Sequence, residues 1–138
     1  MKVAAPGYSG KPLAAKLGIG EGTDVLAINP PDEYARWLAP LPPGARIIVR
    51  RSAATSLVHL FATQRTALAQ ALQVQRKTLP TDATLWISWP KKSAKVATDI
   101  TEDTIRELAL PLGFVDVKVC AVSEVWSGLK LVVRKSLR

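Results

Sequence analysis

The chain has 138 residues, 48% of them hydrophobic and 22% charged, with a formal net charge of +8 at pH 7. This length and balance indicate one globular domain with a sizeable core, and they argue against a disordered chain. The apolar runs are too short to cross a bilayer, no signal-peptide pattern opens the sequence, and a single cysteine excludes an internal disulfide, so a cytoplasmic protein is expected.

The first half of the chain predicts an arm and then alternating helices and strands. Residues 1–10 contain Pro-Gly and Ser-Gly pairs, which predict a flexible N-terminal arm. A single α/β domain is then expected over residues 11–138. Its first predicted elements are a short helix at 12–17, a strand at 24–29, a helix at 32–39, and strands at 45–50 and 56–62.

The second half begins with the clearest helix of the sequence, at residues 64–79. Leu68, Leu72 and Leu79 fall near one face of this helix, as expected for an amphipathic segment. The elements predicted after it are a strand at 83–89, a helix capped by Thr101 and ended by Gly113, and two hairpin-linked strands at 114–122 and 128–134.

This alternation predicts an α/β three-layer sandwich with a mainly parallel sheet of about six strands and a C-terminal antiparallel hairpin. The pattern over roughly residues 12–134 resembles a shortened class I methyltransferase-like fold, which is Rossmann-like. In that fold the last strand inserts beside the preceding central strand. The spacing of glycines and apolar residues at 17–26 also resembles the entry into the first strand of such enzymes.

The connection between the second and third predicted strands is short. Only residues 51–55 join them, whereas a parallel crossover usually takes a dozen or more residues. Two arrangements therefore stay open: a bare extended crossover between parallel strands, or an antiparallel hairpin.

Several segments also resemble, from end to end, an uncharacterised bacterial family known only as a domain of unknown function. The resembling segments are GYSGKPL at 7–13, LWISWPKK at 85–92, TED at 101–103, and ALPLG at 109–113 through WSGLK at 126–130. This resemblance implies no activity.

The positive charge is concentrated in the middle of the chain. Residues 44–95 hold nine Lys or Arg and one acid, Asp82, whereas the remaining residues hold ten of each sign. Such a local excess attracts anions such as phosphates, nucleotides, nucleic acid or an acidic partner, although it also occurs on merely solvated surfaces.

The carboxyl ends of parallel strands lie at one edge of a sheet, where ligands usually bind. If the last strand inserts between the fourth and fifth, Trp126 comes near Trp89. Two indoles could then stack a base while nearby lysines bind a phosphate, or they could simply plug this end of the sheet. The predicted ligand-binding residues are Asn29, Arg50, Arg51, Trp89, Lys91, Lys92, Lys95 and Trp126.

The usual cofactor signatures are missing from this edge. The glycines at 18–22 precede the first strand, whereas a dinucleotide loop must follow a strand and open a helix. The segment that follows the first strand, Asn29-Pro30-Pro31, has no glycine and lacks two N–H donors. Arg50-Arg51 stands where methyltransferase-like enzymes need an acid for the ribose, so S-adenosylmethionine binding is not expected.

No catalytic residue and no metal ligand is predicted. His59 is the only histidine and Cys120 the only cysteine, and both lie within predicted strands, where structural roles are expected.

The leading hypothesis is a non-enzymatic or degenerate methyltransferase-like domain that binds an anionic ligand, a nucleotide or a nucleic-acid phosphate, at this edge. The alternatives are an enzyme, a transferase, with an unusual cofactor loop, and an interaction module for an acidic protein partner. The identity of any cofactor and the oligomeric state stay open, and no membrane partner is expected.

Overall fold

The computed structural model describes residues 11–138, so the predicted arm at residues 1–10 lies outside the described residues. Helices and strands alternate along the chain as predicted. They are α1 (Leu13–Leu17), β1 (Asp24–Ile28), α2 (Tyr34–Leu38), β2 (Arg46–Ile48), β3 (Leu57–Phe61), α3 (Arg65–Thr78), β4 (Thr84–Pro90), α4 (Glu102–Ala109), β5 (Phe114–Ala121) and β6 (Trp126–Val133). None of these helices has both the length and the apolar character that a membrane-spanning segment requires.

The strands form one sheet in the order β2-β1-β3-β4-β6-β5. β1 runs parallel to β2 and β3, and β3 runs parallel to β4. β6 is antiparallel to both of its neighbours, β4 and β5. The mainly parallel sheet with a C-terminal hairpin is therefore confirmed, and so is the insertion of the last strand between the fourth and fifth.

Of the two arrangements that the sequence left open for the second and third strands, the antiparallel hairpin is wrong. β1 lies between β2 and β3 and is parallel to both. The crossover at residues 49–56 contains no helix. It is held instead by local hydrogen bonds, in which the Ser52 N–H donates to Thr55 Oγ1 at 2.8 Å, and by the Arg51 guanidinium, which donates to Gln75 Oε1 of α3 at 2.7 Å.

Apolar side chains cover both faces of the sheet. One core lies between the sheet and helices α3 and α4, and the other lies under α1 and α2. β4 contributes to both, because successive side chains of a strand point to opposite faces. Leu85, Ile87 and Trp89 face the first core, whereas Trp86 faces the second.

The central histidine is part of this second face. His59 is completely buried, and its Nδ1 and Nε2 share hydrogen bonds with the hydroxyls of Tyr34 at 2.8 Å and Ser88 at 2.7 Å. Its ring stacks on Phe61 with the centroids 4.3 Å apart. Burial lowers the pKa of His59 to about 3 and raises the pKa of Tyr34, so both groups are neutral at pH 7.

Helix α4 begins at a reciprocal cap. The Thr101 hydroxyl accepts the Thr104 N–H at 3.2 Å, and the Thr104 hydroxyl accepts the Thr101 N–H at 3.1 Å. This fixes the start of the helix that follows residues 91–99, and it agrees with the predicted capping role of Thr101.

Candidate functional site

A cleft of about 310 Å³ opens at the carboxyl ends of β1 and β3. β1 and the residue after it contribute Ile28 and Asn29, β3 and its following loop contribute residues 60–64, and Trp126 provides a further wall. The chain leaves β1 towards β2 on one side and later returns to β3 on the other. Open α/β sheets bind their ligands at such a switch point.

The aromatic wall of the cleft is held in a defined position. The rings of Phe61 and Trp126 meet edge to face, with centroids 5.1 Å apart and an interplanar angle of 82°. The hairpin before β6 is fixed because the Ser123 hydroxyl accepts the N–H groups of Val125 and Trp126, each at 3.1 Å. The ring of Trp126 therefore stands beside the cleft without needing a ligand to order it.

The opposite wall is formed by small side chains of α3. Ala67 and Ala71 are four residues apart, so they lie one above the other on the same face of the helix. They leave the space that a larger side chain would fill. This alanine spacing is the sequence signal that could have located the wall.

None of the ten residues that line the cleft is charged. The polar groups are the carboxamides of Asn29 and Gln64 and the hydroxyl of Thr63. Asn29 has a φ of 55°, in the left-handed region that asparagine tolerates better than most residues. The cleft can therefore form neutral hydrogen bonds along an aromatic surface.

A cationic segment, residues 91–99, borders this neutral cleft. At its start the Lys91 N–H donates to the Val125 carbonyl at 2.7 Å, next to Trp126. Near its end the Thr98 hydroxyl donates to the Thr63 carbonyl at 2.7 Å. Both anchors adjoin the cleft, so the backbone that carries the lysines at 91, 92 and 95 starts and ends beside it.

A carboxylate already occupies the N-terminus of α3. Asp99 Oδ1 accepts the Arg65 N–H at 2.6 Å. A helix N-terminus otherwise favours an anionic ligand, because its N–H groups are unpaired and its dipole is positive there. Asp99 thus takes the place that an anionic ligand would have at this helix N-terminus.

Of the predicted site residues, Asn29 and Trp126 line the cleft, whereas Lys91, Lys92 and Lys95 belong to the neighbouring segment and do not line it. Trp89 is only 7% exposed and packs in the core under α3 and α4. Trp126 pairs with Pro90 and packs towards the other face of the sheet, so the two indoles do not share one stacking site.

The two predicted arginines lie in the crossover after β2. Arg50 is exposed there, and Arg51 is bonded to Gln75, near the far end of α3. Gln75 lies eleven residues beyond Gln64, which is roughly 16 Å along a helix. The structure therefore does not bring Arg51 to the cleft, whereas Phe61, Ala67 and Ala71 line it without having been predicted as site residues.

Known proteins resemble this chain in fold rather than in sequence. No protein-family model and no curated protein sequence matches it. A crystal structure from Sulfolobus solfataricus, whose assignment to the type 11 methyltransferases is provisional, superposes with a TM-score of 0.58 at 10% identity, covering 89% of this chain and 90% of that one. Aeropyrum pernix fibrillarin with natively bound S-adenosyl-L-methionine gives 0.54 at 14% identity, covering 87% and 73%.

A third structure, the Bacillus subtilis M1A22 tRNA methyltransferase TrmK, gives a TM-score of 0.51 at 10% identity and covers 93% of this chain and 68% of that one. Similarity at these identities establishes the fold alone, which is that of the class I methyltransferase-like proteins. The predicted fold class is confirmed. The resemblance to an uncharacterised bacterial family stays a prediction.

The fold implies S-adenosylmethionine, and the residues present do not fit it. The turn after β1 contains Pro30 and Pro31, which have no N–H to offer a ligand. The residues that follow β2 include Arg50 and Arg51 and no acid for the ribose hydroxyls. Within residues 11–138, no three His, Cys, Asp or Glu side chains are grouped so that they could hold a metal ion.

Proposed function

We propose that this chain is a non-enzymatic or degenerate methyltransferase-like domain that binds a nucleotide, free or within a nucleic acid. The base of the nucleotide enters the cleft, and the phosphate of the nucleotide faces Lys91, Lys92 and Lys95. The observation that carries this proposal is the pairing of a neutral, aromatic-walled cleft at the switch point with a cationic segment along its border.

The size and chemistry of the cleft favour a nucleobase. Its volume of about 310 Å³ is near the lower end of small-molecule sites. Trp126 is partly exposed and offers an aromatic surface on which a flat ring can stack, whereas the buried Phe61 supports it edge to face. Asn29 and Gln64 offer carboxamides, which match the donor and acceptor pattern of a base edge.

The phosphate position follows from the charges around the cleft. Asp99 fills the N-terminus of α3 and repels a phosphate there. Lys91, Lys92 and Lys95 lie along the border next to the Trp126 hairpin, and lysine binds phosphate as a compact point charge. A ligand whose base stacks on Trp126 therefore finds its counter-charge on the same side.

The lining residues favour binding over catalysis. None of the ten is an acid, histidine, cysteine or lysine, so no general base or ionisable nucleophile lines the cleft. Together with the prolines after β1, this supports a domain that keeps the fold but not the chemistry.

Replacing the lysines tests the phosphate half of the proposal. Lys91→Ala combined with Lys92→Ala is expected to weaken AMP binding about tenfold, because charge-assisted hydrogen bonds are lost. Adenosine binding is expected to stay unchanged. Isothermal titration calorimetry at low salt measures both ligands. The matched control, Lys77→Ala with Lys135→Ala, removes the same charge from the last turn of α3 and the C-terminal segment. Equal AMP affinity in the lysine variant and the parent would refute the proposal.

Trp126→Ala tests the base half. Adenosine and AMP are both expected to bind at least about fivefold more weakly, since stacking of one base is worth about 1–3 kcal/mol. Trp126→Phe keeps an aromatic face and should retain most of the affinity. The quenching of tryptophan fluorescence on titration offers a second readout. If the Trp126→Ala and Trp126→Phe variants both bind adenosine and AMP with the affinity of the parent, the base does not lie in this cleft.

An enzyme with an unusual cofactor loop is the second candidate, because the fold is shared with fibrillarin that carries S-adenosyl-L-methionine. Thermal shift measurements with S-adenosylmethionine and with NADP separate the two. A saturable rise in Tm with either cofactor would favour the enzyme. The degenerate domain is expected to show none.

A further inference from the structure

A second concentration of positive charge lies on the sheet face that carries α1 and α2. Lys118 of β5 and Lys130 of β6 are register partners, directly opposite each other across the strand pair. On its other side Lys130 is the partner of Trp86, which faces the core under α1 and α2. Since register partners share a face, both lysines project on this side of the sheet.

A third lysine reaches the same place from the helix layer. Lys16 lies in the last turn of α1 and is only 8% exposed. The positive charges of Lys16 and Lys118 both act to lower the pKa of the half-buried Cys120 thiol, although burial outweighs them and raises it. Lys118 and Lys130 face each other across β5 and β6, and these two residues are called the lysine patch, whereas Lys16 is too buried to contact a ligand.

This arrangement costs the fold stability. Like charges directly opposite each other destabilise a strand pair. Among residues 11–138, neither Lys118 nor Lys130 takes part in an ion pair. Lys118 lies on an edge strand, where a lysine discourages pairing with other chains, but Lys130 lies inside the sheet between β4 and β5. Edge protection therefore does not account for the pair.

We propose that the lysine patch binds the phosphate backbone of a nucleic acid. Repeated phosphates neutralise neighbouring lysines together and release condensed counterions, which offsets the repulsion within the patch. The composition of the patch argues against an acidic protein, because the centres of protein interfaces are enriched in aromatic residues and arginine and depleted in lysine.

The lysine patch is separate from the cleft. Trp126 and Lys130 lie on the same strand and on the same face, four residues apart, which is about 13 Å. Backbone binding at the patch does not require a base in the cleft, so this inference does not rest on the proposed function.

The test uses a double variant that combines Lys118→Gln and Lys130→Gln. This double variant is compared with the parent. Fluorescence anisotropy measures binding of a labelled oligouridylate of about 20 nucleotides, longer than the 4–16 that single binding folds cover. Repeating the titration at several KCl concentrations gives the salt slope of log K. Each lysine that leaves the interface is expected to reduce this slope by about 0.7 for a single strand, so the pair reduces it by about 1.4. Lys77→Gln with Lys135→Gln is the control of equal charge and should change the slope little.

Lys118→Glu provides a second variant that separates binding from folding. It places an acid opposite Lys130, so it is expected to raise Tm and to abolish oligouridylate binding at the patch. Equal salt slopes in the patch variant, the control variant and the parent would overturn the proposal. Polyglutamate that competes as strongly as RNA, and loses affinity equally in the patch variant, would assign the patch to an acidic protein instead. AMP binding reports on the cleft alone. Whether a variant loses or keeps AMP affinity therefore tests the cleft, and the salt slope of oligouridylate binding tests the patch separately.

Discussion

Between pH 6.5 and about pH 4.5, the folded protein is expected to lose about 2 kcal/mol of its free energy of unfolding, at a rate that approaches about 1.4 kcal/mol for each pH unit towards the acidic end. The cause is His59, whose pKa burial lowers from 6.5 to about 3. In this window the unfolded chain takes up a proton at His59 and the folded chain does not. Stability therefore falls as the pH falls, and the loss levels off near the folded pKa.

Urea unfolding at a series of pH values measures this slope. Other shifted groups do not obscure it, because the pKa values of Asp24 and Asp116 are lowered below 3.8 by hydrogen bonds from Arg46 and Arg106. Those carboxylates therefore lose their stabilising contribution only at more acidic pH.

His59→Gln is the matched variant for this prediction. Glutamine can replace only part of the bonding to Tyr34 and Ser88, so a loss of about 1–3 kcal/mol is expected at pH 7. Its slope between pH 6.5 and 4.5 should nearly vanish, so the stability curves of variant and parent converge on acidification. Parallel curves would show that a different group titrates.

The elements of the fold were predictable because their periodicity is local. Alternating helices and strands and the final hairpin follow from apolar spacing and from turn residues at the ends of each element. The position of β2 was not predictable, because a three-residue strand has too little pattern to choose its neighbour. Its placement beside β1 depends on a crossover, residues 49–56, with no periodic signal of its own.

The parts of the site that depend on where strands end were predictable. The parts that depend on which face of the sheet a side chain points to were less predictable. Asn29 and Trp126 follow from the rule that ligands bind at the carboxyl ends of parallel strands. Trp89 does not join them, because a shift of one position along a strand moves a side chain to the opposite face. The sequence predicted the position of Trp89 along β4, close to Trp126, but not the face of the sheet to which Trp89 points.

The lysine patch could not be found by counting charges along the chain. Lys118 and Lys130 both lie outside the basic segment 44–95, in residues whose charges cancel overall. Only the register of β5 and β6 brings them together. Clusters that depend on long-range pairing cannot be read from local composition.

Trp86→Ala is expected to cost about 3–5 kcal/mol of the free energy of unfolding, a large part of the 5–15 kcal/mol typical of a domain. The side chain is 0% exposed, and its ring packs where a Cβ at Gly128 would lie 3.3 Å from Cε3. Its Nε1–H donates to the Leu17 carbonyl at 3.0 Å, one of the α1 carbonyls that the helix itself leaves unpaired. Trp86 therefore fills the core and also attaches α1 to the sheet.

Trp86→Phe separates these two roles. It keeps an aromatic ring in the core but leaves the Leu17 carbonyl without its donor, so a smaller loss is expected, with about 1–3 kcal/mol from the unpaired group. Urea unfolding measures both variants. If Trp86→Ala cost no more than Trp86→Phe, the anchoring of α1 rather than core volume would dominate the contribution of Trp86.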